Sequence, residues 1–162
     1  MAIFMDYEGI KGNVTAAGYQ GLIKLDGFVF RSHRSVSMET GKLANREGSA
    51  PTLGVLETIK RLDGSIIGII KEAVSNTAGK TVKIHCVRTG QRQFQAYMTL
   101  TFSQCIPTFY AMVGLAREGG IPAERLYLSY SAVEFSYIDS GADNKAMNPQ
   151  RYGYDVAAAT SL

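Results

Sequence analysis

The chain of 162 residues predicts a mainly β fold, an antiparallel barrel or sandwich capped by one short helix. Three observations carry this. From Phe94 to Phe102, the side chains of Phe94, Ala96, Met98, Leu100 and Phe102 alternate with Gln95, Tyr97, Thr99 and Thr101. Successive side chains of a strand point to opposite faces, so this stretch makes an antiparallel strand with one apolar and one mostly polar face. Two further segments, Leu22 to Phe30 and Leu126 to Ile138, alternate in the same way but change phase part-way, as bulged and bent strands do. Finally, only the stretch after Ser65 has convincing helical spacing before the C-terminal half.

In chain order, Ala2 to Glu8 makes a first short strand, and Gly9, Gly12 and Asn13 supply turns. In Leu22 to Phe30, Ile23 and Leu25 share one parity and Phe28 and Phe30 the other, so a bulge belongs near Asp26-Gly27. With Phe28 and Phe30 inward, Val29 and Arg31 face away. Ser35 to Pro51 has no steady period and reads as a long connecting arm, of a length that is usually functional or disordered. Leu53 to Ile59 resumes strand character.

Asp63-Gly64-Ser65 makes a turn, with Ser65 as the helix N-cap, its hydroxyl expected to serve a free backbone N–H. Ile66, Ile70, Ala73 and Val74 form the apolar side, with Lys71, Glu72 and Ser75 opposite, and Gly79 is placed to help end the helix. Gly68 weakens it, so packing against the sheet must hold it. In Thr81 to Arg88, Val82, Ile84 and Cys86 oppose Lys83 and His85, and Thr89-Gly90-Gln91 turns into the strand at Phe94. Cys105 to Leu115 is read as extended, and Glu118 to Pro122 as a loop. Leu126 to Ile138 changes phase near Ser131-Ala132, Ser140 to Gln150 is a polar loop, and Tyr152 to Val156 is a terminal strand before a fraying tail. With no repeat and no linker, residues 1–162 make a single domain.

Composition narrows the function. A formal net charge of +3 without a long run of one sign argues against a dedicated nucleic-acid binder. The first residues meet Asp6 and Glu8 early and have no basic start, so they do not read as a secretory signal, and no apolar run reaches membrane-spanning length. Folding in the cytoplasm is therefore expected, with Cys86 and Cys105 as reduced, packed thiols. Later export by a route that needs no signal peptide stays open.

The search for chemistry finds little. His33 and His85 stand far apart without further ligands at organised spacing, so both read as surface strand residues and no metal site is expected. Ser35, Ser129 and Ser131 lie in no nucleophile elbow. Asp139 to Asn144 resembles a calcium loop without its closing Glu, and Gly79-Lys80-Thr81 lacks the first glycine of a phosphate loop. No catalytic residue and no cofactor are assigned. The favoured reading is a structural or binding protein whose activity is its surface.

On the order of its segments, the chain resembles the haemolysin-coregulated protein (Hcp) family, the tube proteins of bacterial type VI secretion systems. Five segments carry the resemblance: Met1 to Gly12 with its Lys11-Gly12 turn; Ile23 to Phe30 with Phe28 and Phe30; Thr58 to Ser65, the helix and Gly79-Lys80; Arg125 to Tyr137; and Tyr152-Gly153-Tyr154-Asp155-Val156. Ile66 and Ile67 stand where a proline often follows the capping Ser.

The resemblance implies an antiparallel β-barrel of two curled sheets with one flanking helix, like phage tail tubes, assembled as homo-hexameric rings. Such rings stack into a hollow tube within a contractile sheath, tipped by a spike, with effector proteins carried in the lumen. It also implies assembly in the bacterial cytoplasm followed by secretion without a signal peptide, and no membrane insertion. On this reading Gln95, Thr99 and Thr101 face the lumen, joined by Arg31 and His33 if the second strand lies in the same wall. The arm residues Met38, Glu39, Lys42, Arg46 and Glu47 are candidates to contact a neighbouring subunit or ring. The alternative is a monomeric β-barrel that binds a small apolar ligand. An enzyme on a β scaffold, without an acid–base constellation, is the third reading.

Overall fold

The computed structural model describes residues 1–38, 46–75, 78–89, 94–114, 120–139 and 147–162. In chain order the elements are β1 (Ala2–Tyr7), β2 (Ile23–Leu25), β3 (Gly27–Val29), β4 (Ser32–His33), β5 (Val36–Met38), β6 (Arg46–Gly48), β7 (Thr52–Leu53), β8 (Leu56–Arg61), α1 (Ile66–Val74), β9 (Lys80–Thr89), β10 (Phe94–Val113), β11 (Ala123–Ser129), β12 (Ala132–Tyr137), β13 (Gln150–Asp155) and β14 (Thr160–Ser161). Every strand pair is antiparallel.

The long strand β10 organises the molecule. Its first part pairs with β9 on one side and β12 on the other; its second part, Ile106 to Val113, pairs with β11. From it extend two curled sheets. One runs β14-β13-β12-β10-β9-β1-β2 and the other β10-β11-β8-β3. Between the two parts, Gln104 adopts a left-handed φ of 54°, a conformation disfavoured for a side-chain-bearing residue, and the strand turns a corner there. The predicted fold class holds. Among the described residues the ladders do not close into a continuous barrel; the sheets meet again where β2 gives way to β3.

That second junction is the first predicted phase fault. Ile23 and Leu25 pair with β1, whereas Gly27 to Val29 pair with β8, and the Asp26 N–H donates to Ile59 O at 2.8 Å between them. The other fault divides β11 from β12 at Tyr130-Ser131, with Tyr130 buried in the bend and its hydroxyl donating to Gly54 O at 2.7 Å. Both faults exist because a chain that passes from one sheet to the other must keep its apolar side chains on the enclosed face.

The enclosed face is dense. Met5, Tyr7, Ile23, Leu56, Ile84, Leu100, Phe102, Leu128 and Val133 are buried, with Ile69 of the helix packed among them. Phe28 and Phe30 pack against this core, as the parity requires. Against Met5, Ile69 and Leu126 no space remains for a water molecule.

Several expectations are corrected. A register shift between Ala96 and Met98 makes Tyr97 an extra residue, so the alternation of the opening strand reaches the core only from Met98 onward, and Phe94 is exposed. The Ser65 side chain caps no helical N–H; its hydroxyl donates to Asp63, which also accepts the Ser65 N–H. The helix ends at Val74 with Ser75 as C-cap, so Gly79 does not terminate it. Gly79 is required for another reason: a Cβ there would lie 2.7 Å from Gln104 Cα. Gly68 likewise admits Ile10, whose Cγ2 would stand 2.9 Å from a Cβ. The arm holds a short ladder, with Val36 opposite Gly48 and Met38 opposite Arg46. Nor does the tail simply fray, because β14 pairs with β13 and the Leu162 N–H donates to Gly153 O at 3.0 Å.

At Gly79 the obstacle is backbone, which cannot swing aside. Gly79→Ala should therefore lower stability by about 1–3 kcal/mol, read as a lower urea midpoint at unchanged m-value. A midpoint equal to wild type would show that the corner at Gln104 is free to move.

Candidate functional site

Two parts of the molecule bring functional side chains together: a buried polar cluster beneath the helix and the solvent-facing side of the β1-β9-β10-β12-β13 sheet. The cluster grows from the inward parity of β8 and β11. Lys60 lies directly opposite Glu124, and both side chains are almost wholly buried, at 4% and 1% exposure. Lys60 Nζ donates to Glu124 Oε2, to Asp63 Oδ1 at 2.9 Å and to Arg61 O at 3.3 Å. The Tyr110 hydroxyl donates to the second oxygen of Glu124 at 2.8 Å. Burial and the Glu124 carboxylate together push the Tyr110 phenol well above its usual range. Burial alone raises the Asp63 carboxyl, but hydrogen bonds from Lys60 and Ser65 outweigh it and hold the group below the usual carboxylate range.

A buried cation satisfied by two carboxylates and a carbonyl has no donor left for a substrate. The cluster ties the turn before α1 to β8 and β11, and sequence reading missed it. The available signal was Lys60 and Glu124 at positions whose neighbours Thr58, Leu126 and Leu128 are inward-facing.

The solvent-facing side is built by register. One row crosses the strands as Asp6, Lys83, Thr101, Glu134 and Gly153; the next as Phe4, His85, Thr99, Ser136 and Arg151. At the β1 end Tyr19 lies over Phe4, with ring centres 5.3 Å apart, and meets His85 edge-on at 5.8 Å. At the other end a depression of about 550 Å³ spans Thr99, Thr101, Glu134, Arg151 and Leu162. His85 is not a surface residue as predicted. It is half-buried, its Nδ1 is 3.2 Å from Thr99 Oγ1, and burial lowers its pKa.

Of the predicted lumen residues, the fold brings Thr99 and Thr101 into adjacent rows on this side. Gln95 is exposed but, beyond the Tyr97 bulge, pairs with Arg88 and falls out of phase with them. Arg31 and His33 do not join that sheet. Arg31 forms an ion pair with Glu57 of β8, and His33 pairs with Thr52 in the separate β4-β7 ladder. The condition for including them, a shared wall, is not met. In the arm, the backbones of Met38, Arg46 and Glu47 lie in the β5-β6 ladder, whereas Glu39 and Lys42 lie outside the described residues. So does most of the calcium-loop-like stretch Asp139 to Asn144.

Among the described residues no group of three or more His, Cys, Asp or Glu side chains is placed to hold a metal ion. Cys86 and Cys105 are free and buried, and burial pushes the Cys105 thiol up to about 12. No helix among the described residues is long and apolar enough to cross a membrane.

The family model described as "Type VI secretion system effector, Hcp" matches residues 4–137. The chain belongs to the Hcp family. No curated protein sequence matches it. Solved structures agree on the fold at low identity. "Structure of a type six secretion system protein" matches with 18% identity and a TM-score of 0.88, covering 99% of each chain. Hcp1 from Salmonella typhimurium matches with 17% identity and a TM-score of 0.76 over 99% of this chain and 98% of its own. A type VI secretion system effector from Yersinia pestis matches with 16% identity and a TM-score of 0.72 over 95% and 99%. This Hcp protein is thus a type VI secretion system component.

Removing one partner of the buried pair leaves an uncompensated charge. Glu124→Ala should cost about 3–5 kcal/mol in denaturant unfolding, and a loss below 1 kcal/mol would mean that the pair is hydrated. Asp63 adds a pH dependence. Its folded pKa is below its unfolded value, so its contribution is complete above about pH 4 and is lost as pH falls through the folded pKa. Asp63→Asn should flatten the acid side of the stability–pH curve; an unchanged slope would exclude this role.

Proposed function

We propose that this Hcp protein is a tube subunit of a type VI secretion system, that six copies close into a ring, and that rings stack into a hollow tube driven out by a contractile sheath. The observation that carries the reading is the sheet around β10. One of its faces is buried in the subunit's own core, and the other presents adjoining polar rows, Asp6-Lys83-Thr101-Glu134 and His85-Thr99-Ser136-Arg151. A tube wall needs this division, because its inner surface must stay hydrated while its outer layers hold the shape. Thr99 and Thr101 are then bore-lining residues, with Glu134 and Arg151 beside them.

Small effector proteins would travel past these rows, and the sheath and spike would meet the outer and end surfaces. The arm that contains Met38, Glu39, Lys42, Arg46 and Glu47 is assigned to contact with a neighbouring subunit or ring. Assembly would take place in the cytoplasm and release would need no signal peptide. The activity is mechanical and carrier-like, with no catalysis. The ligand-binding alternative is disfavoured because the sheets enclose a filled core, and a depression of about 620 Å³ around Phe4, Lys24 and Arg61 opens at the surface.

Light scattering on the purified protein should give the mass of six 17.6 kDa chains, with annular particles by negative-stain microscopy. A single-chain mass at all concentrations would overturn the assignment. Deleting residues 41–48 should weaken ring closure or stacking while leaving the thermal unfolding of the subunit intact; unchanged assembly would remove the arm from the contact. In assembled tubes, a Thr101→Cys thiol should react with a small maleimide and be protected from one carried on a large protein. Equal reaction with both would place that face outside the bore.

A further inference from the structure

Phe4 is buried on a side of the sheet where strand parity would leave it in water. Along β1, Met5 and Tyr7 point into the core, while Phe4 and Asp6 share the solvent-facing side with His85 and Lys83. Phe4 is nevertheless only 5% exposed. Its cover is the segment between β1 and β2, whose Tyr19 lies over Phe4 and edge-on to His85.

That segment is closed on itself. The Gly12 N–H donates to Gly21 O at 2.8 Å, the Val14 N–H to Leu22 O at 3.1 Å and the Gly21 N–H to Val14 O at 2.8 Å. Gly18 and Gly21 supply the left-handed turns, at φ of 83° and 76°. From Asn13 to Leu22 no residue is charged, and Tyr19 is the one aromatic and the one titratable group.

The imidazole beneath Tyr19 is half-buried, and its hydrogen-bond partner among the described residues is the neutral Thr99 hydroxyl. The groups that face it carry mixed charge. β1 presents Asp6 and β9 presents Lys83, in the adjoining row, and β2 places Lys24 beyond Phe4 in the same row. On the other side β10 and β12 offer the hydroxyls of Thr99 and Ser136, with Glu134 and Arg151 farther out. Burial disfavours a charge on His85, Asp6 favours one and Lys83 disfavours one; the balance holds its pKa below the ordinary imidazole value of 6.5.

Lifting the segment returns the imidazole to water, so opening and protonation are linked. The closed form is fully favoured above about pH 6.5 and loses ground as the pH falls below that value through the folded pKa. We propose that the segment from Asn13 to Leu22 is a pH-operated clasp: it lies shut on Phe4 while His85 is neutral, and uptake of a proton by His85 releases it and bares the Phe4 ring. The clasp is a property of the subunit; from the tube reading it takes only its place, on the bore wall beside Thr99.

The chain has no tryptophan, so Tyr19→Trp puts a single indole at the clasp and keeps an aromatic ring there. Quenching of its emission by acrylamide should be weak at about pH 7.5 and rise several-fold by about pH 5.5, with cooperative thermal unfolding at both. Adding His85→Gln, which cannot take up the proton, should make the quenching independent of pH. A second measurement needs no indole. The His85 ring, identified by its loss in His85→Gln, is titrated by NMR in the wild type and in Tyr19→Ala, where removal of the cover should raise its pKa toward 6.5. Quenching that ignores pH in the single variant, or that responds equally in the double variant, would overturn the clasp. So would a His85 pKa that is unchanged or lower in Tyr19→Ala, because the ring would then hold the imidazolium instead of excluding it. None of these readouts depends on how many copies the particle contains, so failure of the clasp and failure of the tube reading are told apart by mass.

Discussion

The whole architecture depends on one strand that belongs to two sheets. β10 pairs with β9 and β12 before Gln104 and with β11 after it, and the corner requires Gln104 in a left-handed conformation with Gly79 against its backbone. Because the β11-β12 segment follows β10 round this corner, it must bend too, and it does so at Tyr130-Ser131. Across the core, the β2-β3 segment bends at Asp26 to serve the two sheets from the other side. Three strands that change sheet at corresponding places wrap the sheets around one apolar interior. The helix closes the open end, held by Ile69 in the core and by the Lys60, Glu124 and Asp63 cluster at the turn that precedes it.

This enclosure explains why the functional features are superficial. Among the described residues the core is filled, and the Lys60, Glu124 and Asp63 cluster beneath the helix is internally satisfied. What varies is the polarity of the surfaces left outside. The sheet through Thr99 and Thr101 is paired on both sides of β10 and can stay wet. Among the described residues the second half of β10 pairs with β11 on one side only and bears exposed apolar side chains at Ile106, Phe109 and Val113.

The sequence by itself determined the features that depend on neighbours along the chain. The alternation from Met98 to Phe102 and the two phase faults are periodic signals, and each marks a real element because burial of one face imposes the period; the helix after Ser65 forms as well, but it buries Ile69 and Glu72, while Val74 of the expected apolar side is 79% exposed. The order of those elements was enough to suggest the family. Only the tertiary structure decided which face each residue joined. The bulge at Tyr97 moved Gln95 out of phase with Thr99, and pairing with β7 and β8 took His33 and Arg31 away from the Thr101 rows. It also decided that Gly79 serves the Gln104 corner and that Lys60 meets Glu124 across 64 residues of chain. Periodicity says that a strand has two faces. Which strand lies beside it, and in what register, is set by contacts between segments remote in sequence, and no local pattern records them.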